Sequence, residues 1–348
     1  QHMSDNDYRY VRLAERARLK RWGIEETSVG VSFIETPDGW NLAVSHYRDN
    51  DQQPSTQRYP ILLCHGLGAN RLAWDVSPDY SLPAWLTSLG FDVYSLELRG
   101  HGLSEKPGQA GKRWGWGFNE YCEIDIPAAI DFVLERTGCD VLHFIGHSLG
   151  GILLYGRAAM LDARIKSGIT IGSTLDYSGL PTAFRAIAPL APLSHLVPFV
   201  PIHWAALLQS HISGYSPRLI DSMMVCPENV DVELYRRMAA NMLHPVSARL
   251  LRDLSGIIQG RGIMNSKGKR YDALLQSSGY TFPILAMAGN ADSQCPPVSS
   301  ARFGTSHLAF GKDQGHRENY GHHDLIMGRH AREEVWPRIS EWLLQHDG

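Results

Sequence analysis

A serine held between two glycines is the residue of this sequence with the clearest capacity for chemistry. Ser148 lies in the stretch GHSLG at positions 146–150, which follows the apolar run VLHFIG and precedes the apolar run LGGILLYGRAAML. A serine at the junction of a strand and a helix is either a helix N-cap or a nucleophile. The spacing G-x-S-x-G favours a nucleophile here, because small residues permit a tight turn that raises the hydroxyl above the sheet and directs a helix N-terminus at developing negative charge.

A nucleophilic serine requires a general base, and the base requires a carboxylate that orients it. In α/β sheets with this turn, the order along the chain is serine, acidic residue, histidine. We predict Asp292 as the acid because it follows the apolar run FPILAMAG, and parallel sheets place their site residues at the carboxyl ends of strands. Asp176, which follows the run IKSGITIGS, is the alternative acid.

Three histidines that follow the last predicted strand are candidates for the base. The stretch DQGHRENYGHHDLIMG contains His316, His322 and His323. His322 follows Gly321 and precedes an apolar helical run, so a loop can present it at the edge of the sheet. We therefore predict His322 as the base, with His316 as the main alternative and with His323 pointing elsewhere.

The negative charge that develops on a reacting carbonyl oxygen requires backbone N–H donors. We expect one donor from Leu149, the residue after the serine, and the other from Leu67 in the loop HGLGANR at positions 65–71. The small residues of that loop allow its backbone to approach a substrate closely. His65 is expected to orient the loop through a hydrogen bond and not to act as the base.

Alternating strand and helix patterns predict the elements that position these residues. Continuous apolar runs such as YPILLCHG are typical of strands buried on both faces of a parallel sheet, and helical runs separate them. The predicted fold class is therefore α/β, with a mostly parallel central sheet flanked by helices and an inserted helical cap. The expected organisation is an N-terminal helical segment at 1–28, a core at 29–175 and 281–348, and a cap at 176–280.

Composition excludes several classes of protein. The 348 residues are 43% hydrophobic and carry a net charge of −3, which predicts a large core and gives no indication of a nucleic-acid partner. Five cysteines without a CxxC pair favour reduced thiols, and no metal or cofactor is expected. The apolar stretch 190–208 contains Pro192, Pro198 and Pro201, which argue against a membrane-spanning helix.

The strongly basic segment 8–22 has a helical composition and is expected to pack through Tyr10, Ala14 and Ala17. Contact with a membrane surface, or with a second copy of the chain in a homodimer, is the alternative role of this helix. No signal peptide opens the sequence, so the expected location is the cytoplasm unless such a segment preceded residue 1.

Five short motifs resemble those of the α/β-hydrolase family and occur in the family's order. They are HGLG, LRGHGLS, GHSLGG, AGNAD and YGHHD. The stretches YCEIDIPAAIDFVLERTGCDVLHFIGHSLGG and YGHHDLIMG most resemble the acid-lipase branch, whose catalytic histidine lies in a Y-N-H-x-D motif. The resemblance implies the α/β-hydrolase fold and a base at His322, although Gly321 stands where that branch has asparagine.

These residues together predict hydrolysis of a small-molecule carboxylic ester through an acyl-enzyme on Ser148. The apolar segment 185–208 predicts an apolar acyl group if it lines the space above the serine; the alternative is that it forms the core of the cap. Acyl transfer and C–C bond hydrolysis by the same triad are the alternative functions, which the cap would select. A receptor-like role without catalysis is disfavoured, because a complete set of triad residues is present.

Overall fold

The computed structural model describes residues 5–49, 58–204 and 222–348, with side chains from residue 12 onward. The strands are β1 Gly30–Glu35, β2 Asn41–Tyr47, β3 Ile61–Cys64, β4 Val93–Glu97, β5 Leu142–His147, β6 Ile165–Ile171, β7 Phe199–Val200, β8 Val246–Ser247, β9 Ile284–Gly289 and β10 Ser306–Phe310. The helices are α1 Asp5–Arg21, α2 Leu82–Ser88, α3 Phe118–Glu120, α4 Ile126–Thr137, α5 Leu149–Ala159, α6 Val232–Met242, α7 Ala248–Ile258, α8 Tyr271–Ser278, α9 Pro297–Ser300, α10 Asp324–Met327, α11 Ala331–Glu334 and α12 Trp336–Gln345.

The central sheet has eight strands in the order β1-β2-β4-β3-β5-β6-β9-β10. β2 is antiparallel to β1 and β4, and the other neighbouring pairs are parallel. A hairpin whose turn contains Asp38-Gly39 joins β1 to β2, and Gly39 has the positive φ of 84° that its turn requires. Parallel neighbours need crossover connections, which α2, α4 and α5 provide. The predicted α/β class with a mostly parallel sheet is confirmed.

The core has two apolar layers, one on each face of the sheet, and a third apolar cluster packs Leu19 of α1 against Met238 of α6. β5 contributes Phe144 to one layer and Ile145 to the other, and both side chains are fully buried. Successive side chains of a strand point to opposite faces. A strand buried on both faces therefore needs the continuous apolar run from which β5 was predicted.

The elements that the structure describes between β6 and β9 are mostly helical. They comprise 3₁₀ helices at Ala183–Ala186, Ala188–Leu196 and Pro227–Asn229, the helices α6, α7 and α8, and a small ribbon of β7 paired with β8. This ribbon covers the loop after β3, since a methyl group on Gly68 would lie 2.4 Å from Ile202 Cδ1 and 3.2 Å from Val246 Cγ1. The bounds predicted for a cap, 176–280, stay a prediction.

The N-terminal helix α1 does not pack through the residues predicted for it. Ala14 and Ala17 are exposed, so the expectation for these two residues is wrong, and the side chain of Tyr10 lies outside the described ones. Leu19 is buried instead, in an apolar cluster that includes Met238 and Met242 of α6, whereas Leu13 of the same helix is exposed. Three arginines of the helix form side-chain hydrogen bonds with residues outside it. Arg12 contacts Ser28, Arg16 contacts Glu26 and Arg18 contacts Asn241.

The apolar segment after β6 is partly exposed. Leu190, Leu193 and Leu196 are 58%, 58% and 80% exposed, so the expectation that this segment is buried is wrong for these side chains; positions 205–208 lie outside the described residues. The three leucines are spaced three residues apart in the 3₁₀ helix Ala188–Leu196, where residues at that spacing lie on one edge of the helix. That edge is the exposed one. Within the described parts of the chain, we find no helix with both the length and the apolar character needed to cross a membrane.

Candidate active site

Ser148 occupies the sharp turn between β5 and α5. Its φ of 52° and ψ of −114° are unusual for a residue with a side chain, and such strain costs about 1–3 kcal/mol and clusters at functional sites. A methyl group on Gly146 would lie 2.3 Å from the carbonyl of Gly150, and one on Gly150 would lie 2.1 Å from the carbonyl oxygen of Cys64. The turn therefore requires both glycines, as the spacing predicted.

Hydrogen bonds hold the strained turn on both sides. The N–H of Ser148 donates to the carbonyl of Ile171 at 2.8 Å, and its own carbonyl accepts from Ser173 Oγ at 2.7 Å. The serine side chain is half-buried and stands at the N-terminus of α5, where the helix dipole favours negative charge. The hydroxyl is thus held at the carboxyl edge of the sheet in the place where an anion is stabilised.

Asp292 and His322 form the hydrogen-bonded pair that a general base requires. His322 Nδ1 lies 2.7 Å from Asp292 Oδ2, and Nδ1 is assigned as the donor because a carboxylate can only accept. The other carboxylate oxygen accepts from the N–H groups of Gln294 at 2.8 Å and Cys295 at 3.0 Å. Both side chains are almost completely buried. This arrangement leaves Nε2 of His322 as the nitrogen that can accept a proton.

Two loops beside β9 bring this pair together. The N–H of Ala291 donates to the carbonyl of Tyr320 at 2.8 Å, and a methyl group on Gly289 would lie 2.1 Å from the same oxygen. On the other side, Asp324 accepts from the N–H of Gly321 at 2.8 Å, and burial raises the pKa of Asp324 to about 6. The position of the histidine therefore depends on a contact within its own loop, between Asp324 and Gly321, and on a contact with the loop after β9, between Ala291 and Tyr320.

Gly172 shows where the pair lies relative to the serine. A methyl group on Gly172 would lie 3.0 Å from Asp292 Oδ2 and from His322 Nδ1. Gly172 comes directly after Ile171, whose carbonyl binds the N–H of Ser148. The structure thus brings the three predicted residues to one end of the sheet. Their catalytic roles stay a prediction.

The alternative acid, Asp176, and the alternative base, His316, contact other groups, and His323 is buried. Asp176 forms an ion pair with Arg302 at 3.2 Å. His316 Nδ1 lies 3.1 Å from the carbonyl oxygen of Gly311, in its own loop. The ring of His323 is buried, and burial lowers its pKa to about 3. We therefore retain Asp292 and His322 as the predicted pair.

The two expected oxyanion donors lie next to the serine. Leu149 is the first residue of α5, so its N–H has no acceptor within the helix. Leu67 follows Gly66, on which a methyl group would lie 3.1 Å from Ser148 Cβ. His65 Nδ1 donates to the carbonyl of Gly66 at 2.8 Å, and its Nε2 accepts a backbone N–H at 3.1 Å. His65 thus orients this loop, whereas the donor role of Leu67 and Leu149 stays a prediction.

The chain is similar in sequence to known hydrolases over part of its length. It matches the family model of the alpha/beta hydrolase fold over residues 59–197. Human Lipase member N is 30% identical over 154 residues, which are 41% of this chain and 39% of that protein. Human gastric triacylglycerol lipase is 29% identical over 172 residues, which are 47% of this chain and 39% of that protein. The chain thus spans about two fifths of the length of these curated relatives.

Solved structures are similar over most of the chain. A thermophilic esterase from Thermogutta terrifontis has a TM-score of 0.58 at 17% identity and covers 92% of this chain and 100% of its own. A monoacylglycerol lipase from Paleococcus ferrophilus has a TM-score of 0.56 at 20% identity and covers 88% of this chain and 99% of its own. The protein has the α/β-hydrolase fold. Lipases are among its relatives, so the resemblance found in the motifs is confirmed.

Two residues that the sequence left without a role contact the site. Asp324 holds the loop of the histidine, and His147 donates from Nε2 to the carbonyl of His322 at 2.8 Å. The available signals were the places of these residues inside the motifs GHSLG and YGHHD. Neither residue type indicates its partner until the fold is known.

Buried neutral histidines near the site make stability depend on pH. Burial lowers the pKa of His65 to about 4 and the pKa values of His101 and His323 to about 3. In the unfolded chain these side chains take up a proton near pH 6.5. The unfolded state then binds more protons than the folded state, so the free energy of unfolding falls as the pH decreases from about 6.5.

We expect His101→Gln to reduce this pH dependence. Between pH 6.5 and pH 5 the native His101 should account for about 2 kcal/mol of lost stability, because only the unfolded chain protonates it there. Asp75 acts in the opposite direction, since burial raises its pKa to about 7, but that contribution is common to both proteins and cancels. Urea unfolding of both proteins at the two pH values measures the difference, and equal losses would contradict the prediction.

Proposed function

We propose that the protein hydrolyses carboxylic esters through a Ser148–His322–Asp292 triad and an acyl-enzyme. The observation that carries the proposal is the 2.7 Å hydrogen bond between His322 Nδ1 and Asp292 Oδ2 at the same end of the sheet as the strained serine turn. A serine on such a turn, with an oriented imidazole available, is the arrangement that acyl transfer requires. The names of the curated relatives, which are lipases, support an ester as the substrate class.

In the proposed reaction, His322 Nε2 takes the proton of the Ser148 hydroxyl while Oγ attacks the acyl carbon. The N–H groups of Leu67 and Leu149 donate to the resulting oxyanion. The intermediate then collapses, and the imidazolium returns its proton to the departing alcohol. Water then attacks the acyl carbon while His322 Nε2 takes a proton from it. The bond between Oγ and the acyl carbon breaks, the imidazolium returns the proton to Ser148 Oγ, and the carboxylic acid is released. Asp292 keeps the proton on Nδ1 and stabilises the imidazolium.

A fluorophosphonate probe tests the proposed function directly. We expect mass spectrometry to find one covalent adduct, on the peptide that contains Ser148, and we expect the same preparation to hydrolyse p-nitrophenyl butyrate. Heat-unfolded protein is the control, because only the folded site activates the hydroxyl. Absence of both the adduct and ester hydrolysis would overturn the proposal. Labelling together with ester formation from an added alcohol would reassign the protein as an acyltransferase.

The acyl group of the substrate is proposed to be apolar. Ile202 and Val246 lie against Gly68, one residue after the expected oxyanion donor Leu67, and so bring apolar side chains to the loop beside the serine. If the acyl chain contacts such surface, each added methylene contributes up to about 0.8 kcal/mol to transition-state binding.

We therefore expect kcat/KM to rise by up to about fourfold for each added carbon until the pocket is full. The measurement is a series of p-nitrophenyl esters from acetyl to dodecanoyl, each below its micelle concentration. A flat profile, or a maximum at acetyl, would contradict the prediction and indicate a small or polar acid as substrate.

A further inference from the structure

His147, the residue before the serine, connects the nucleophile turn to the loop of the histidine. Its Nε2 donates to the carbonyl oxygen of His322 at 2.8 Å. Its ring centroid lies 4.7 Å from that of His322 and 4.5 Å from that of His323. The imidazole is completely buried. This side chain is therefore in direct contact with the residue whose imidazole must be aligned.

The second nitrogen of His147 faces the other loop of the site. A methyl group on Gly66 would lie 3.2 Å from His147 Nδ1 and 3.1 Å from Ser148 Cβ. Nδ1 is buried and has no hydrogen-bond partner among the described residues. A buried acceptor without a partner is unfavourable, so its presence in a fold needs an explanation. An apolar side chain here would avoid that cost but could not bind the carbonyl of His322.

We propose that His147 is a positioning residue, which holds the backbone of His322 and thereby aligns the imidazole of the base with Ser148. This inference rests on the proposed function and adds a residue to it. His147 touches no reacting atom; it acts through His322. The hydrogen bond spans 175 positions of the sequence and joins the end of β5 to the loop after β10.

Histidine is suited to this position because it stays neutral there. Burial, and then the neighbouring imidazoles of His323 and His322, lower the pKa of His147 well below its usual value. A neutral imidazole protonated on Nε2 still donates to the carbonyl when His322 becomes an imidazolium during the reaction. A cationic side chain at the same place would repel that imidazolium.

The test compares His147→Leu, which removes the donor, with His147→Gln, whose side-chain amide can donate to the same carbonyl. We expect Leu to lower kcat by about 10–100-fold with KM within about twofold, because a small displacement of a catalytic group mainly reduces the chemical step. We expect Gln to retain kcat within about threefold of the native value. His323→Leu is the matched control, since it removes a buried imidazole that packs on the same ring, and its kcat should resemble that of Gln.

A second readout does not depend on turnover. In protein with ¹⁵N-labelled histidine, we expect a downfield proton from His322 Nδ1 in the native protein and in His147→Gln, and its loss in His147→Leu. If the Leu variant does not fold, His147→Phe keeps a ring without the N–H and carries the same expectations. Equal kcat and an equal Nδ1 signal in the Leu and Gln variants would overturn the inference. Failure of the native protein to react with fluorophosphonate or esters would overturn the proposed function instead, whatever the Nδ1 proton shows.

Discussion

Replacing Ser148 by alanine is expected to lower kcat by about 10⁴–10⁶-fold while the protein stays folded. The loss is large because the hydroxyl is the proposed nucleophile, and only binding and the oxyanion donors remain without it. The fold should persist for three reasons. Alanine keeps the Cβ atom, the strained φ of 52° is the same for both residues, and the hydrogen bonds of the turn use the backbone of Ser148.

The measurement is the rate of p-nitrophenyl ester hydrolysis by native and variant protein, with thermal unfolding as a check of folding. Ser173→Ala is a matched control, because this buried serine lies beside the turn and its hydroxyl donates to backbone carbonyls. We expect that control to lose less than about tenfold in kcat, since the nucleophile remains. A folded Ser148→Ala variant with nearly native kcat would falsify the assignment of the nucleophile.

Asp292→Asn is expected to lower kcat by about 10⁴-fold, with little change in the volume of the side chain. An amide nitrogen beside His322 Nδ1 donates to it, so the proton of the imidazole moves to Nε2. In that tautomer the base cannot accept the proton of Ser148. The variant should still bind substrate, and KM is expected to change much less than kcat.

The alternative residues are tested in parallel under the same conditions. Asp176→Asn loses the ion pair with Arg302, which should change stability and leave kcat within a few-fold of the native value. His322→Ala should be as damaging as the loss of the serine, whereas His316→Ala should not. If Asp176→Asn or His316→Ala were the more damaging change of its pair, the role would move to that residue.

Local patterns predicted most of the elements and some of their ends. The apolar run of β5 predicted a strand buried on both faces, and the helix before it ends at a glycine, Gly138, with φ of 70°. Both features depend on neighbouring residues, through side-chain alternation in a strand and the left-handed conformation after a helix. The exposure of Leu190 was not predictable in this way. Composition indicated that this apolar segment is buried, but the segment forms a 3₁₀ helix and Leu190 lies on its exposed edge.

Packing of the N-terminal helix also depended on distant residues. Composition predicted contacts through Ala14 and Ala17, whereas the structure buries Leu19. Arg18 contacts Asn241, which lies 223 positions away in the chain. A helical pattern shows which residues share a face, but the partner of that face is set by the rest of the fold.

The sequence by itself determined the turn at Ser148 and the order of serine, acid and histidine along the chain. The order is a property of the chain itself, and the need for Gly146 is local because a methyl group there would meet the carbonyl of Gly150. The need for Gly150 comes from the carbonyl oxygen of Cys64 at the end of β3, so the pattern was readable from the sequence but its reason is partly tertiary. The tertiary structure decided which acid meets which histidine. Asp176 follows β6 and Asp292 follows β9, and these strands are parallel neighbours, so both acids belong to the same edge of the sheet. The contact between the loops at Ala291 and Tyr320 brings Asp292 to the histidine. That contact depends on the order of the strands in the sheet and on the packing of the loops that follow them. A short stretch of sequence does not determine either, because both depend on residues far apart in the chain.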